Sequence, residues 1–430
     1  MDGAARGESA ASGSPSAPAG AGAAAPSLRG RVSQGVSAKE IKIGISTASD
    51  FSATAAAFGL QEDGDSNADQ AKAQAVVNYI NKHGGVARRK LVPVFHDISA
   101  TGSFDTEAQA ACAAWAEDNQ VFAALAWLYD RDTLLSCLAR RNTVLVKSSA
   151  QVYTNEFANR YRNFFYQPDF LFGDHWHVYI DGLVAQGFLR KSNRIGLVRL
   201  DDPEHEKTAD NVLRPALARH GLKLTEEAAI TPFNDAGEAV GQTNAQVSNA
   251  VLRFRDSGVD RVIYIDIGNV LMWFFGVQAE SQNYRPDHGM NSLNIPSYIQ
   301  DNVPAAQLEG AKGVGWWPNS DEATPSGNQS GEEQCEKILR EAKLAIDGVG
   351  LSYCSRLFFL KAAMDRAIDI TPAGLRAAVD GLGRSFSSAV TAMSLHRPGR
   401  FDGVGGVRYF RFDTGCACFR YTGAWRSILG

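Results

Sequence analysis

The sequence lacks an excess of charge of either sign and lacks any long apolar run. Its 43 Lys and Arg residues nearly balance 47 Asp and Glu residues, which gives a formal net charge of -4 at pH 7. A field of one sign that would attract nucleic acid or an anionic membrane is therefore missing. The longest apolar run, Val270 to Val277, has eight residues, whereas a membrane-spanning helix needs about 20. We therefore expect no nucleic-acid partner and no membrane span.

The sequence also lacks the short motifs that carry common catalytic chemistry. No G-x-S-x-G turn, H-E-x-x-H helix, phosphate-binding loop or G-x-G-x-x-G segment follows a predicted strand. His175 and His177 are two positions apart, so on a helix they would not share a face that could hold a metal. We therefore expect no enzyme activity, no metal site and no cofactor.

Cysteine is scarce, and the six cysteines fall into three pairs of sequence neighbours. These pairs are Cys112 and Cys137, Cys335 and Cys354, and Cys416 and Cys418. None has the paired spacing of a zinc ribbon. We favour disulfides between the neighbours, which require an oxidising compartment. The alternative is six buried thiols in a cytosolic protein.

The first 37 residues have the composition of a flexible linker. Ala, Gly, Ser and Pro make up 24 of the first 30 residues, and such a segment buries too little apolar surface to order itself. Spacers of this kind often follow the lipidated cysteine of an exported bacterial lipoprotein, and Met1 is interpreted as standing in place of a signal and anchor. The alternative is an ordinary frayed cytosolic N-terminus.

From residue 38 onward, strand patterns alternate with helix patterns. Residues 40–46 alternate apolar and polar side chains, and residues 68–81 carry a helical stripe that ends before two glycines. Further strands are predicted at 90–95, 121–125, 143–146, 194–200, 261–265, 297–300, 311–316, 406–412 and 417–421. Further helices are predicted at 108–117, 133–140, 175–186, 209–220, 245–255, from about 270, 332–346 and 352–368. Strands separated by helices indicate an α/β fold with parallel sheets.

Several segments carry a family resemblance. They are Ile41 to Ser46, Ala57 to Gly59, Val77 to Asp97, Gly258 to Ile265, Asn283 to Pro286 and Leu308 to Val314. In this order they resemble type I periplasmic solute-binding proteins, the branched-chain-amino-acid-binding (Leu/Ile/Val-binding) family of ABC importers. The resemblance covers most of residues 38–395.

The resemblance implies two Rossmann-like α/β lobes joined by three crossover strands. By analogy the crossovers fall near Pro168, Pro318 and His396. Lobe 1 would then comprise residues 38–168 and 319–395, and lobe 2 would comprise residues 169–318 and 396–430. A small molecule would be held between the lobes with no bond made or broken.

Candidate ligand contacts follow from the resemblance and from the rule that open α/β sheets bind ligands outside the carboxyl ends of their strands. Phe58 matches the aromatic residue that packs on the ligand in the family, and residues 148–150 resemble a Ser-Pro-Ala stretch near its ligand. The candidates in lobe 1 are Phe58, Trp127, Tyr129, Asp130, Ser148, Ser149 and Ala150. Those in lobe 2 are Asp202, Asp266, Gln300 and Trp316.

Each candidate also has a structural interpretation. Asp202 could only cap the following helix, and Trp127 and Tyr129 could be core residues. The density of aromatic residues near the expected cleft favours an amino acid, an aromatic acid or a sugar-like ligand.

We therefore predict a monomeric extracytoplasmic solute-binding protein that is lipid-anchored and serves the membrane permease of an ABC importer. One alternative is a sensor of the same fold that presents its closed state to a receptor. A second alternative is an α/β enzyme that uses Asp202, His205 or Asp266 as an acid or base.

Overall fold

The computed structural model describes residues 30–48, 50, 66–99, 101–127, 132–147, 151–322 and 330–428. Within them the strands form two separate sheets, each covered by helices. This is the two-lobed α/β fold that the sequence predicts. We call each sheet with the helices packed on it a lobe.

The first sheet contains five strands, and all of its neighbouring strands are parallel. The strands are β1 (Glu40–Thr47), β2 (Lys90–Asp97), β3 (Ala123–Ala126), β4 (Val144–Lys147) and β5 (Phe165–Tyr166). Their spatial order is β2-β1-β3-β4-β5. In β1, a Cβ on Gly44 would lie 2.7 Å from the Trp115 ring, so only glycine lets this ring pack against the strand.

Four helices accompany these strands along the chain. They are α1 (Ser66–Lys82), α2 (Phe104–Cys112, followed by a π turn at Ala113–Asp118), α3 (Thr133–Arg140) and α4 (Asn155–Arg160). The disulfide Cys112–Cys137 joins α2 to α3, with Cα atoms 6.2 Å apart.

The second sheet contains seven strands in the order β12-β11-β10-β9-β8-β6-β7. They are β6 (Ile195–Leu200), β7 (Leu224–Ile230), β8 (Arg261–Ile265), β9 (Asp287–Asn291), β10 (Lys312–Gly315), β11 (Gly406–Asp413) and β12 (Cys418–Ser427). Strands β6 to β10 are parallel, whereas β11 and β12 form an antiparallel hairpin at one edge. The disulfide Cys416–Cys418 lies at the turn of this hairpin.

The helices that follow β5 belong mainly to the second sheet. They are α5 (His177–Ala185), α6 (Pro203–Thr208 and Arg214–Arg219, joined by a π turn at Ala209–Leu213), α7 (Asn244–Asp256), α8 (Val270–Ser281), α9 (Pro296–Asn302), α10 (Ala305–Leu308) and α11 (Pro318–Asp321). A short α turn at Ala236–Glu238 and a π turn at Ala239–Thr243 precede α7, and 3-10 turns occur at Gly173–His175 and Ser292–Asn294.

Three later helices return to the first sheet. They are α12 (Ser330–Glu341), α13 (Gly348–Met364) and α14 (Pro372–Asp380). The Asp347 side chain caps α13 by accepting from Gly350 N, and it also accepts from Lys72 Nζ of α1 at 2.6 Å. The disulfide Cys335–Cys354 joins α12 to α13. Helices α12 and α13 are therefore fixed to each other, and the start of α13 is fixed to α1.

One cluster of buried apolar side chains runs through both lobes. It includes Ile43 and Val146 in the first sheet, Phe170 between the sheets, and Leu197 and Val314 in the second. Because this core is continuous, the segments between the sheets are packed like the interior of a domain.

All three neighbour pairs of cysteines form disulfides, as the sequence predicts. Among the described residues, no helix combines the length and apolar character needed to cross a bilayer.

Two parts of the predicted secondary structure are wrong. Residues 297–300 lie in helix α9 and not in a strand, because Pro296 occupies the first helical turn, where it needs no hydrogen-bond donor. The sequence interpretation also omits elements that the structure contains, among them strands β5, β7 and β9 and helices α4 and α14.

Candidate ligand-binding cleft

Loops at the carboxyl ends of the two sheets touch each other at one side of the molecule. Ser103 and Phe104 follow β2, whereas Phe233 and Asn234 follow β7. Phe104 N donates to Asn234 O at 2.9 Å, and Asn234 Nδ2 donates to Ser103 Oγ at 2.8 Å. The Phe104 and Phe233 ring centroids are 6.1 Å apart.

A second contact joins the loop after β4 to the loop after β6. Thr154 N and Oγ1 both donate to Glu204 Oε2, at 2.9 and 2.5 Å. Beside them, Lys207 Nζ lies 2.8 Å from Glu156 Oε1. We call these two sets the cross-lobe contacts. They bring the carboxyl ends of the parallel strands of the two sheets face to face, and this is where open α/β sheets bind ligands.

Within the described chain, three segments pass between the lobes: residues 167–176 after β5 (the first crossing segment), residues 316–322 after β10 (the second) and residues 381–405 before β11 (the third). Buried Asp169, in the first crossing segment, bonds residues of the third and of helix α13. Its Oδ1 accepts from the hydroxyls of Ser355 at 2.7 Å, Ser388 at 2.8 Å and Thr391 at 3.4 Å. Burial raises the pKa of Asp169, and the three hydroxyls and Arg356 oppose that rise. The carboxyl group therefore fixes residues of the first and third crossing segments to helix α13.

Asp402, in the third crossing segment, holds the start of the second lobe. Its Oδ2 accepts from Phe172 N at 2.8 Å and lies 2.9 Å from His175 Nδ1, and its Oδ1 accepts from Arg400 Nε. Burial would raise the pKa of Asp402, but His175 and Arg400 outweigh it and lower the pKa to about 2. Asp402 therefore stays ionised at neutral pH.

Asp321 lies in the second crossing segment and behaves differently. Its Oδ2 accepts from Ser292 Oγ and Trp317 N, both at 3.0 Å, and from the Tyr421 hydroxyl of β12. Burial raises its pKa to about 7, against these hydrogen bonds. This carboxyl group therefore titrates near neutral pH while linking the crossing segment to the edge hairpin.

The two acidic candidates in the second lobe lie at strand ends, as expected, but both hold helix starts. Asp202 Oδ1 accepts from Glu204 N and His205 N at 3.0 Å, and its carboxyl group pairs with the His205 ring. Burial would raise the pKa of Asp202, but His205 and the backbone donors lower it to about 2. Asp202 is thus the helix cap that the alternative interpretation predicted.

Asp266 is fully buried at the start of α8. Its oxygens accept from the backbone N–H groups of residues 267, 271 and 272 and from Asn294 Nδ2. Burial raises its pKa despite these bonds. A ligand could bond Asp266 only by displacing these donors.

Gln300 and Trp316 also point into protein. Gln300 Oε1 accepts from Phe419 N at 3.0 Å, so it joins α9 to β12. Trp316 is fully buried, with its ring 6.3 Å from that of Trp176. Both residues support the wall of the second lobe.

Trp127 is the one first-lobe candidate that the structure describes. It follows β3, is half-buried, and its N–H donates to Ser46 Oγ at the end of β1 at 3.1 Å. Phe58, Tyr129, Asp130, Ser148, Ser149 and Ala150 lie outside the described residues. Within the described chain, no group of His, Cys, Asp and Glu side chains could hold a metal ion.

Two residues near the cross-lobe contacts and the first crossing segment, Glu204 and Arg356, are not among the candidates that the sequence predicts. Glu204 lies two positions after Asp202 and makes a cross-lobe contact. Arg356 lies within the apolar part of α13 and is only 2% exposed. A lone arginine among buried helical positions was the available signal, because arginine is almost never fully buried without a partner.

Comparisons with known proteins agree with this geometry. Residues 40–413 match the family model described as Periplasmic binding protein. No curated protein matches the sequence.

Solved structures with the same fold share little sequence with this chain. The fatty acid ABC transporter substrate-binding protein from Thermomonospora curvata has a TM-score of 0.64 at 14% identity, over 93% of this chain and 94% of that one. An ABC transporter substrate binding protein from Aeropyrum pernix has a TM-score of 0.69 at 12% identity, over 90% and 96%. A branched chain amino acid ABC transporter from Thermus thermophilus with bound valine has a TM-score of 0.65 at 12% identity, over 90% and 97%.

At these identities the structural likeness establishes the fold alone. The family match covers most of the chain, from β1 to the end of β11. The chain therefore belongs to the periplasmic binding protein family, a family of solute-binding proteins rather than enzymes.

Proposed function

We propose that the chain captures a small molecule between its two lobes and delivers it unchanged to the permease of an ABC importer. The observation that carries this proposal is the pair of cross-lobe contacts. They connect loops after β2 and β4 to loops after β7 and β6, so a solute at the facing strand ends would be enclosed from both sides. Hinge closure of this kind is a common response of two-lobed proteins to ligands.

We further propose that the lobes meet at Pro168, Pro318 and His396. Pro168 follows β5, Pro318 follows β10, and His396 precedes β11. Each position thus lies between an element of one sheet and an element packed on the other. Lobe 1 is then 38–168 with 319–395, and lobe 2 is 169–318 with 396–430.

We propose that the direct ligand contacts come mainly from the first lobe. Phe58, Trp127, Tyr129, Asp130 and residues 148–150 all follow strands β1, β3 and β4 in sequence. Asp202, Asp266, Gln300 and Trp316 would keep the facing wall in shape, since their polar atoms or rings contact protein.

The ligand class is supported by what similar structures are named for. One is a complex with Leu from Desulfitobacterium hafniense, one holds valine, and one is a fatty acid transporter protein. These names favour a small organic acid such as an amino acid over a sugar.

An extracytoplasmic location is supported by the three disulfides. The Ala, Gly, Ser and Pro content of the first 30 residues supports a spacer that leads to a lipid anchor. The expected spacer boundary at residue 37 is too late, because Ser33 N donates to Ile370 O at 2.9 Å and Gln34 Nε2 donates to Thr143 Oγ1 at 2.8 Å in the first lobe. We propose that the protein acts as a monomer at the cell surface or in the periplasm.

The proposal is tested by screening amino acids, fatty acids, aromatic acids, sugars and nucleosides for a rise in melting temperature. A ligand at 100 times its Kd should stabilise the folded protein by about 2.7 kcal/mol. Titration calorimetry should give one site per chain, and mass spectrometry should recover the compound with its mass unchanged. Stabilisation by no compound would contradict solute capture, and a changed mass would indicate an enzyme.

A further inference from the structure

Arg356 is a buried cation, and its guanidinium group makes no direct ion pair with any of the described residues. The residue is 2% exposed, and its Nε donates to Ser352 O at 3.1 Å. Its Nη1 is buried with no hydrogen-bond acceptor among the described residues. A desolvated cation without a partner is costly to a fold, so an arginine kept in this state needs a physical reason.

The nearest contacts place this guanidinium between the end of β1 and the first crossing segment. It lies 5.1 Å from the centroid of the Tyr353 ring, and the Tyr353 hydroxyl donates to Ser46 O at 2.8 Å. Ser46 also accepts from Trp127 N, so these groups mark the carboxyl end of the first sheet. On the other side, the adjacent Ser355 donates to Asp169 of the crossing segment.

Asp169 is close enough to influence Arg356 but forms no ion pair with it. Its carboxylate helps to keep Arg356 protonated, although burial lowers the pKa of Arg356 to about 10. However, Asp169 Oδ1 accepts from Ser355, Ser388 and Thr391. Its Oδ1 is therefore occupied by hydroxyl donors, and no hydrogen bond joins Asp169 to the guanidinium group among the described residues.

A second buried donor lies beside the same crossing segment. Trp317 is 9% exposed, and its ring lies 4.8 Å from that of Phe170, the residue after Asp169. Its Nε1 also has no acceptor among the described residues. Two buried residues beside the first crossing segment thus carry N–H donors that have no acceptor among the described residues, and such donors favour a ligand rich in acceptor oxygens.

We propose that Arg356 binds the carboxylate of the ligand, so that the transported solute is a carboxylic acid and not a neutral sugar or nucleoside. This proposal rests on the proposed function, because it assigns one group of the captured solute. A planar guanidinium matches a carboxylate with two parallel N–H donors, and burial strengthens the pairing. The ligand's charge would then offset the desolvation that Arg356 undergoes in the folded protein.

The test compares acids with their amides on the wild type, Arg356→Met and Arg356→Lys. Probes are L-leucine and L-leucinamide, L-valine and L-valinamide, octanoate and octanamide, and phenylacetate and phenylacetamide, with glucose and adenosine as neutral solutes. Lys361→Met is the control, because it removes a cation from the same helix that pairs instead with Asp365. Binding is measured by calorimetry, and melting temperature is measured without ligand.

We expect the wild type to bind one or more acids at least 30-fold more tightly than the matched amides. Arg356→Met should lose about 30-fold or more of that affinity, as when one partner of a buried charge pair is removed, and Lys361→Met should lose none. Arg356→Lys should retain part of it. Without ligand, Arg356→Met should melt no lower than Lys361→Met, because an apolar side chain replaces an unneutralised buried charge.

Equal affinity for acid and amide, or an Arg356→Met protein that binds acids as the wild type does, would overturn the assignment and leave solute capture standing. Binding of glucose or adenosine alone would do the same. If Arg356→Met fails to fold, the acid-to-amide ratio of the wild type and the Arg356→Lys affinity decide the question. Binding of no probe by the wild type would overturn both proposals.

Discussion

At the scale of single residues, buried carboxyl groups hold the crossing segments, and folding shifts their pKa values in opposite directions. Asp402 faces His175 and Arg400, and its pKa falls to about 2. Asp321 has no cation in ion-pair contact among the described residues, and burial raises its pKa to about 7. The stability of the region between the lobes should therefore depend on pH near neutrality through Asp321.

Asp321→Asn should remove that dependence. The pKa of Asp321 rises from 3.8 to about 7 on folding, so its favourable contribution is complete below pH 3.8 and is lost as the pH rises to about 7. Between pH 5 and pH 8 the wild type should lose roughly 3 kcal/mol of unfolding free energy relative to the variant. Urea denaturation at the two pH values measures this difference. Glu309→Gln, an exposed carboxyl group, is the control, and an equal pH response of wild type and Asp321→Asn would contradict the expectation.

Residue-level features also show where sequence reasoning ends. The alternation of strand and helix patterns identifies which residues follow a strand, and Asp202 and Asp266 do follow strands β6 and β8. Whether such a residue caps its own helix, as Asp202 does, or reaches the opposite lobe, as Glu204 does, depends on how the lobes pack. The place of Arg356 beside the crossing segment depends on the same packing.

At the scale of elements, strands with apolar alternation were predictable and polar strands were not. Strand β7 has Glu226 and Glu227 in its middle and lies at the edge of its sheet, where half-exposed polar side chains are tolerated. Strand β9 is central but has the sequence DHGMN. Its His288 is buried, and the ring forms hydrogen bonds with the Tyr264 hydroxyl and with Gln307. Tertiary contacts, rather than local propensity, therefore make β9 a strand.

The disulfides should contribute more to stability the longer the loop that each one closes, with a logarithmic dependence on loop length. Cys112 and Cys137 are 25 residues apart, whereas Cys416 and Cys418 are 2 apart. Replacing both members with alanine should cost roughly 3–4 kcal/mol for the first pair and roughly 1–2 kcal/mol for the second, since longer loops gain more from closure. Urea midpoints of the two double variants measure this. A larger loss for the Cys416 and Cys418 variant would contradict it.

At the scale of the whole molecule, the order of elements indicated that the chain crosses between lobes more than once. Two αβ series, then two helices and then two strands do not form a single repeat. The structure resolves this order, because α12 to α14 pack on the first lobe and β11 and β12 join the second sheet. The relative position of the lobes was not predictable, since it depends on a few contacts between loops that are distant in sequence.

Those contacts should control closure. Glu204→Ala removes the acceptor for both Thr154 donors, and hydrogen bonds to a charged group contribute about 1.5–3 kcal/mol. Ligand affinity should therefore fall by roughly 10-fold or more, while the melting temperature without ligand changes little. Glu206→Ala, an exposed acid of the same helix, should bind as the wild type does. Calorimetry of both variants with one bound acid measures this, and equal affinities would exclude the contact from closure.

Hydrogen exchange with and without a bound acid tests most directly whether the solute is enclosed between the two facing sheets. A bound acid should slow exchange in both lobes together, in residues 99–104 and 151–154 of the first lobe and in residues 201–205 and 231–235 of the second. Helix α7, on the outside of the second lobe, should exchange at the same rate in both states. Protection confined to one lobe, or placed away from these strand ends, would contradict enclosure of the solute between the two sheets.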